Sequence, residues 1–168
     1  MGRHVPPRLR LAIRKAAAMR EARTSVRAAC LLPPATPLMV YAGRIRDDRG
    51  IGAVVDALPR LPKFHLAVVC PPADHAAVRA LLARAAKAGV ARRVHPVSRR
   101  RRLDPAFLAS ADLAVLGFER PDGDAPLVPA ALDAYRAAGL TIVAGHARAV
   151  KEYLALHHAG EVFAPGSP

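Results

Sequence analysis

Between residues 38 and 163 the chain repeats one pattern: a short apolar run, a turn marked by glycine, proline or charge, then apolar residues at helical spacing. The runs are LMVYA at 38–42, HLAVVC at 65–70, a stretch over 90–97, DLAVL at 112–116, LTIVA at 140–144 and a last one around Val162 and Phe163. Their length and their β-branched and aromatic content predict buried strands. Helices are predicted over 51–58, 73–88, 103–111, 127–138 and 146–156, with Gly89 and Gly139 as carboxyl-terminal stops and Asp104 capping a helix that has Pro105 at its first position. Regular strand–helix alternation predicts a Rossmann-like α/β fold, an open parallel sheet with helices on both faces. Ligands of such sheets bind beyond the carboxyl ends of the strands, which here means the turns at 43–49, 70–74, 117–126 and 145–148.

The first unit, LMVYAGRIRDDRGIGAVVDAL, carries the chemistry. Gly43 closes the strand, Arg44 and Arg49 occupy the turn, and a helix opens after Gly50 with its unpaired N–H groups. Two guanidinium groups beside a helix amino terminus suit a phosphate or a diphosphate. The competing reading is that these arginines form exposed ion pairs with Asp47 and Asp48, each worth about 0–1 kcal/mol. A nicotinamide-type site is disfavoured, because Val55 stands where the third glycine of G-x-G-x-x-G belongs.

With 168 residues the chain has the length of one domain and one core. No apolar run approaches the ~20 residues of a membrane span, and the arginine-rich start lacks the apolar core of a secretory signal, so the expectation is a cytoplasmic protein. Cys30 and Cys70 are isolated and read as ordinary buried thiols. The formal net charge is +13, of which residues 1–30 carry +7, with eight Lys and Arg against Glu21. This separates a basic helical arm or linker at 1–34 from the α/β domain at 35–168. The arm and the run Arg99 to Arg102 could meet an anionic membrane surface, with peripheral attachment at its inner face, or nucleic acid. Aromatic residues at 4% leave few stacking platforms, which makes nucleic acid the weaker partner, and abundant alanine and arginine also fit a GC-rich coding bias.

The ordered series GRI…RG after the first strand, LPRLPKFHLAVV, ARRVHPV, FLASADLAVL, AYRAAGLTIVAG and GEVFAPGSP resembles the carboxyl-terminal, nucleotide-sugar-binding domain of GT-B-fold glycosyltransferases of the group 1 or family 4 type. The similarity runs from about residue 38 to the end. It implies retaining transfer of a sugar from a nucleoside diphosphate donor, with no cofactor and no obligatory metal, in a cleft between two Rossmann-like domains. It places Arg44 and Arg49, with Gly43, on the donor diphosphate, and puts Cys70, Asp124, Asp133 and His146 in the vicinity of the nucleotide or sugar. Catalytic residues are not assigned, since the resemblance expects them, and acceptor binding, from an amino-terminal domain or a partner chain.

Several positions depart from that pattern. The glutamate that grips the donor ribose is replaced by Ala134, with Asp133 one residue off, and its paired acid by Pro126. Ala131 stands where some members have lysine, and Cys70-Pro71 replaces the glycine ending the second strand. Two alternatives to a donor half therefore stand: a degenerate GT-B-like domain acting as an interaction module, and a basic nucleic-acid or membrane-binding domain. Asp122-Gly123-Asp124 reads as a turn rather than a metal–diphosphate site, and His157-His158 has no partner at metal-ligand spacing.

Overall fold

A computed structural model describes residues 24–45, 50–99, 103–117, 130–145 and 147–163. After a helical turn α1 (Val26–Ala29), the order is β1 (Leu38–Ala42), α2 (Ile51–Ala57), β2 (His65–Cys70), α3 (His75–Lys87), β3 (Val94–Ser98), α4 (Pro105–Leu108), β4 (Leu113–Leu116), α5 (Ala130–Ala137), β5 (Thr141–Gly145), α6 (Arg148–His157) and β6 (Gly160–Phe163). The first two strands fall where the apolar runs place them, to the residue. The capping expectations at Asp104, Gly89 and Gly139 also hold: the Asp104 carboxylate accepts from the Ala106 N–H at 3.0 Å, and both glycines have positive φ past a helix end. The arm before residue 24 lies outside the described residues.

All six strands are parallel, in the order β3-β2-β1-β4-β5-β6. The order reverses at β1. Right-handed crossovers then send α2 and α3 to one face and the helices after β3 to the other, which agrees with α2 packing on α3 and α4 on α5. β1 is the central strand, and all five of its residues are buried. Its register sets Leu38 against His65 of β2 and Met39 against Leu113 of β4. The core joins Leu38, Val40, Tyr41, Leu66, Val68, Leu108, Leu132, Tyr135 and Ile142, each at most 1% exposed.

α1 belongs to this core. Val26 is fully buried, and Arg27, 13% exposed at its side chain, donates to the carbonyls of Ser110, Pro33 and Thr36 and to Asp112 Oδ2. The same Asp112 oxygen accepts from the Leu38 N–H at 2.6 Å, so the amino ends of β1 and β4 are tied through one carboxylate. Cys30 and Cys70 are free and buried, and burial lifts the Cys30 thiol to about 11. Among the described residues no helix is long and apolar enough to cross a membrane.

Candidate functional site

The sheet's order switches between β1 and β4, and a crevice is expected just past Ala42 and Leu116. β1 ends in an unusual way. Its ladder to β4 covers only Met39 and Val40, so by Ala42 the two strands have separated. The fully buried Tyr135 of α5 fills the gap: its hydroxyl accepts from the Ala42 N–H at 2.5 Å and lies 3.5 Å from the Ala42 carbonyl. A buried backbone donor is thereby satisfied by a side chain rather than by a strand.

Gly43 follows with φ +147°, a conformation that favours glycine, and its N–H donates to the Val69 carbonyl at 2.9 Å. The next two residues are clamped from both sides. The Tyr41 hydroxyl donates to the Arg44 carbonyl at 2.6 Å. Asp74 accepts from the Ile45 N–H at 2.7 Å through Oδ2 and meets Arg44 Nη2 at 3.1 Å through Oδ1. Asp74 closes a single turn after Pro71 and Pro72, and it is the one buried charged residue among those described, 3% exposed at its side chain. Arg44 itself is 68% exposed. Its guanidinium is anchored by Asp74 and mostly exposed, in a loop held by bonds to the Gly43 N–H, the Arg44 carbonyl and the Ile45 N–H. Such a group can hold an oxyanion without first being ordered.

Cys70 ends β2 beside this loop, and burial, then the charge of Asp74, push its thiol up, so it stays protonated and inert at neutral pH. Its carbonyl accepts from the Arg99 N–H at 2.9 Å. Arg99 differs from the solvated-loop reading of the 99–102 run. Its guanidinium carbon lies 3.7 Å from the centroid of the buried Phe107 ring, and its Nη1 is buried with no hydrogen-bond partner among the described residues. Asp133 is placed elsewhere: its Oδ1 accepts from the Tyr153 hydroxyl at 2.7 Å, and Arg136 donates to the same hydroxyl at 3.2 Å. Burial first, then the bond to Asp133, raise the Tyr153 phenol.

Of the residues expected from sequence, Gly43, Arg44 and Cys70 are therefore brought together, and Asp133 faces α6. Arg49, Asp124 and His146 lie outside the described residues. Arg44 pairs with Asp74, thirty positions along the chain; Asp47 and Asp48, the neighbouring carboxylates weighed from sequence, lie outside the described residues. Asp74, Tyr41, Tyr135 and Arg99 were not singled out; the available signal was Asp74 as the only acid between residues 57 and 103. Ala131 and Ala134 are in the core, 5% and 7% exposed. A recess of about 640 Å³ lies at the opposite pole, at the amino ends of β5 and β6, lined by Arg136, Leu140, His158 and Glu161 among others. Among the described residues no group of three or more His, Cys, Asp or Glu is placed to hold a metal ion.

No family model matches the chain. Over 98 residues it is 40% identical to a D-inositol 3-phosphate glycosyltransferase of Xylanimonas cellulosilytica, a match covering 56% of this chain and 24% of the relative. The chain thus spans about a quarter of that relative's length. Among solved structures it is similar to HepE of Anabaena in complex with UDP and glucose, with a TM-score of 0.68 at 20% identity, covering 87% of this chain and 39% of the other. It is also similar to the C-terminal domain of a glycosyl transferase group 1 family protein of Francisella tularensis, with a TM-score of 0.59 at 20% identity over 86% of this chain and 75% of that one.

Proposed function

We propose, from the premise that the chain has the fold of the carboxyl-terminal domain of GT-B glycosyltransferases, that it is the donor half of such an enzyme and binds a nucleoside diphosphate sugar beyond the carboxyl ends of β1 and β2. The observation that carries this reading is the pre-ordered loop 43–45, from which Arg44 projects into solvent while Asp74 holds one edge of its guanidinium. Arg44 takes the diphosphate, Gly43 lets the backbone approach it, and Arg49, five residues on, supplies a second cation. His146 and Asp124 are candidates for the nucleotide and sugar, as are Cys70 and Asp133, the latter only after release from Tyr153. Arg99, with a buried donor lacking a partner among the described residues, joins them. The resemblance supports retaining, hexosyl-type transfer with no cofactor and no obligatory metal. Acceptor binding and the remaining catalytic groups come from a further domain or a partner chain, so this chain by itself is expected to bind donor and not to turn over. The setting that fits is cytoplasmic.

Calorimetry of the full chain with UDP and GDP tests this. Binding at micromolar to millimolar concentration, lost in Arg44→Ala, is expected; no heat from any nucleoside diphosphate at millimolar concentration would reject it. One observation favours a second reading, that of a degenerate domain serving as an interaction module: Ala134 is packed in the core where the family usually carries an acid, as is Ala131 where some members carry a lysine. That reading expects a stable complex with a separate chain. A protein that stays monomeric and finds no partner in co-purification would count against it.

A further inference from the structure

Charge in this chain is segregated by the fold. Residues 57–103, which build β2, α3 and β3, contain eleven Lys and Arg and one acid, the buried Asp74. Residues 104–168, which build β4 to β6 and their helices, contain four Lys and Arg against eight Asp and Glu. The strand order places these two segments on opposite flanks of β1. A coding bias toward arginine would colour both flanks alike, so it does not account for the asymmetry.

Five cations of the β2–β3 flank, Arg60, Lys63, Lys87, Arg92 and Arg93, lie towards its amino-terminal pole, in the loop before β2, at the end of α3 and in the turn before β3. Arg93 reaches across the loop before β2, donating to the carbonyls of Leu58, Leu61 and Phe64 at 2.9, 2.7 and 3.1 Å. Arg92, next in sequence, is thereby held at the turn bound to the loop that carries Arg60 and Lys63; Lys87 ends α3, and all four are exposed. None of them forms an ion pair among the described residues, whose ion pairs are Arg27–Asp112, Arg44–Asp74, Arg84–Asp56 and Arg148–Glu152. At the tip of the same loop Leu61, between Arg60 and Pro62, is 38% exposed. The half-buried ring pair His65–His95 begins where this loop ends, and burial, then Arg93, opposes protonation of His65.

We infer that this pole is a docking surface for an anionic lipid bilayer, with Arg60, Lys63, Lys87 and Arg92 at the headgroups and Leu61 entering the interface. Unpaired cations around one apolar tip match a surface that is charged outside and apolar beneath. A nucleic acid is the less suitable polyanion, because no aromatic ring on this loop is exposed for stacking. The patch lies at the amino ends of β2 and β3, so docking leaves the carboxyl-end crevice facing away from the membrane.

The test is flotation of the full chain with vesicles of phosphatidylcholine alone and of phosphatidylcholine mixed with phosphatidylglycerol, across a salt series. Binding confined to the anionic vesicles and weakening with salt is expected. The triple variant Arg60→Gln, Lys63→Gln, Arg92→Gln should lose about a hundred-fold in affinity, from about five-fold per cation removed. Leu61→Asp should weaken vesicle binding further than its single charge accounts for. Neutralising Arg8, Arg10 and Arg14 in the amino-terminal arm should leave most of the binding, and thermal unfolding checks that the exposed substitutions keep the fold. Three results overturn the inference: no preference for anionic vesicles, full binding by the triple variant, or a Leu61→Asp variant that binds vesicles like the parent while single-stranded RNA competes at equal salt.

Discussion

The Asp74 carboxylate offers the sharpest test of how the candidate site is built. Asp74→Ala removes a charge-assisted bond to the Ile45 N–H, worth about 1.5–3 kcal/mol. It also removes the contact to Arg44, but that guanidinium is 68% exposed and recovers water, so the ion pair contributes about 0–1 kcal/mol at most. The sum is about 1.5–4 kcal/mol, which at roughly 3 °C per kcal/mol for a chain of this size lowers Tm by about 5–12 °C. Asp74→Asn keeps an amide oxygen for the Ile45 N–H and loses only the charge, so about half that cost is expected. Arg44→Ala should leave stability within about 0.5 kcal/mol of the parent, since an exposed side chain contributes little to the fold. Urea unfolding of the three variants at neutral pH reads these differences, and hydrogen exchange at Ile45 reads the loop itself, protected in the parent and open in Asp74→Ala. An Asp74→Ala protein as stable as the parent, or an Arg44→Ala protein as weakened as Asp74→Ala, refutes the account of the loop as a structure held from below.

A β-carbon at Gly160 would sit 1.8 Å from the Ile142 carbonyl oxygen, with the backbone at φ +156°, so Gly160→Ala should detach β6 and expose the carboxyl-terminal segment to limited proteolysis. An unchanged digestion pattern would contradict that. Tyr135→Phe leaves the Ala42 N–H buried without an acceptor and should cost about 1–3 kcal/mol in chemical unfolding, with weaker nucleoside diphosphate binding as a consequence. His65 Nδ1 and His95 Nε2 share one proton at 2.8 Å, and burial, with Arg93 beside the first ring and His65 beside the second, holds both below the usual histidine range. The unfolded chain therefore takes up protons first, and stability present above pH 6.5 is lost as pH falls through the folded values; His95→Gln should flatten that slope in unfolding experiments between pH 7 and 5. Ala134→Glu puts an unpaired carboxylate at a core position and should destabilise the protein by several kcal/mol rather than restore a ribose contact; a variant that keeps its Tm and gains affinity for UDP or GDP would show the opposite.

The fold was legible because the four inner strands, β1, β2, β4 and β5, are nearly continuous apolar runs, the signature of parallel strands covered on both faces, while the edge strands β3 and β6 are mixed in sequence and half-exposed. Gly43 and Arg44 were legible for the same reason, as the first residues beyond such a run. Asp74 was not, because an acid after Pro71-Pro72 reads locally as a helix start, and its burial depends on a loop thirty residues away. Tyr135 looked like one more apolar residue on a helical stripe, and nothing local says that its hydroxyl reaches Ala42. Arg99 was hidden by its neighbours: in a run of four arginines sequence cannot tell which one folds back onto Phe107.

The reversal of strand order at β1 explains why these hidden residues matter together. Asp74 comes from the face covered by α2 and α3, Tyr135 from the face covered by α5, and both end on the backbone of residues 42–45. The loop that presents Arg44 is thus also the place where the two halves of the sheet are cross-tied. If the loop binds the donor as proposed, substitutions in the ties should change binding and stability in step, because loosening the loop opens the core behind it. A substitution of Arg44, whose exposed side chain contributes little to the fold, should change binding alone. That contrast separates a contact with the ligand from a contact that holds the contact in place.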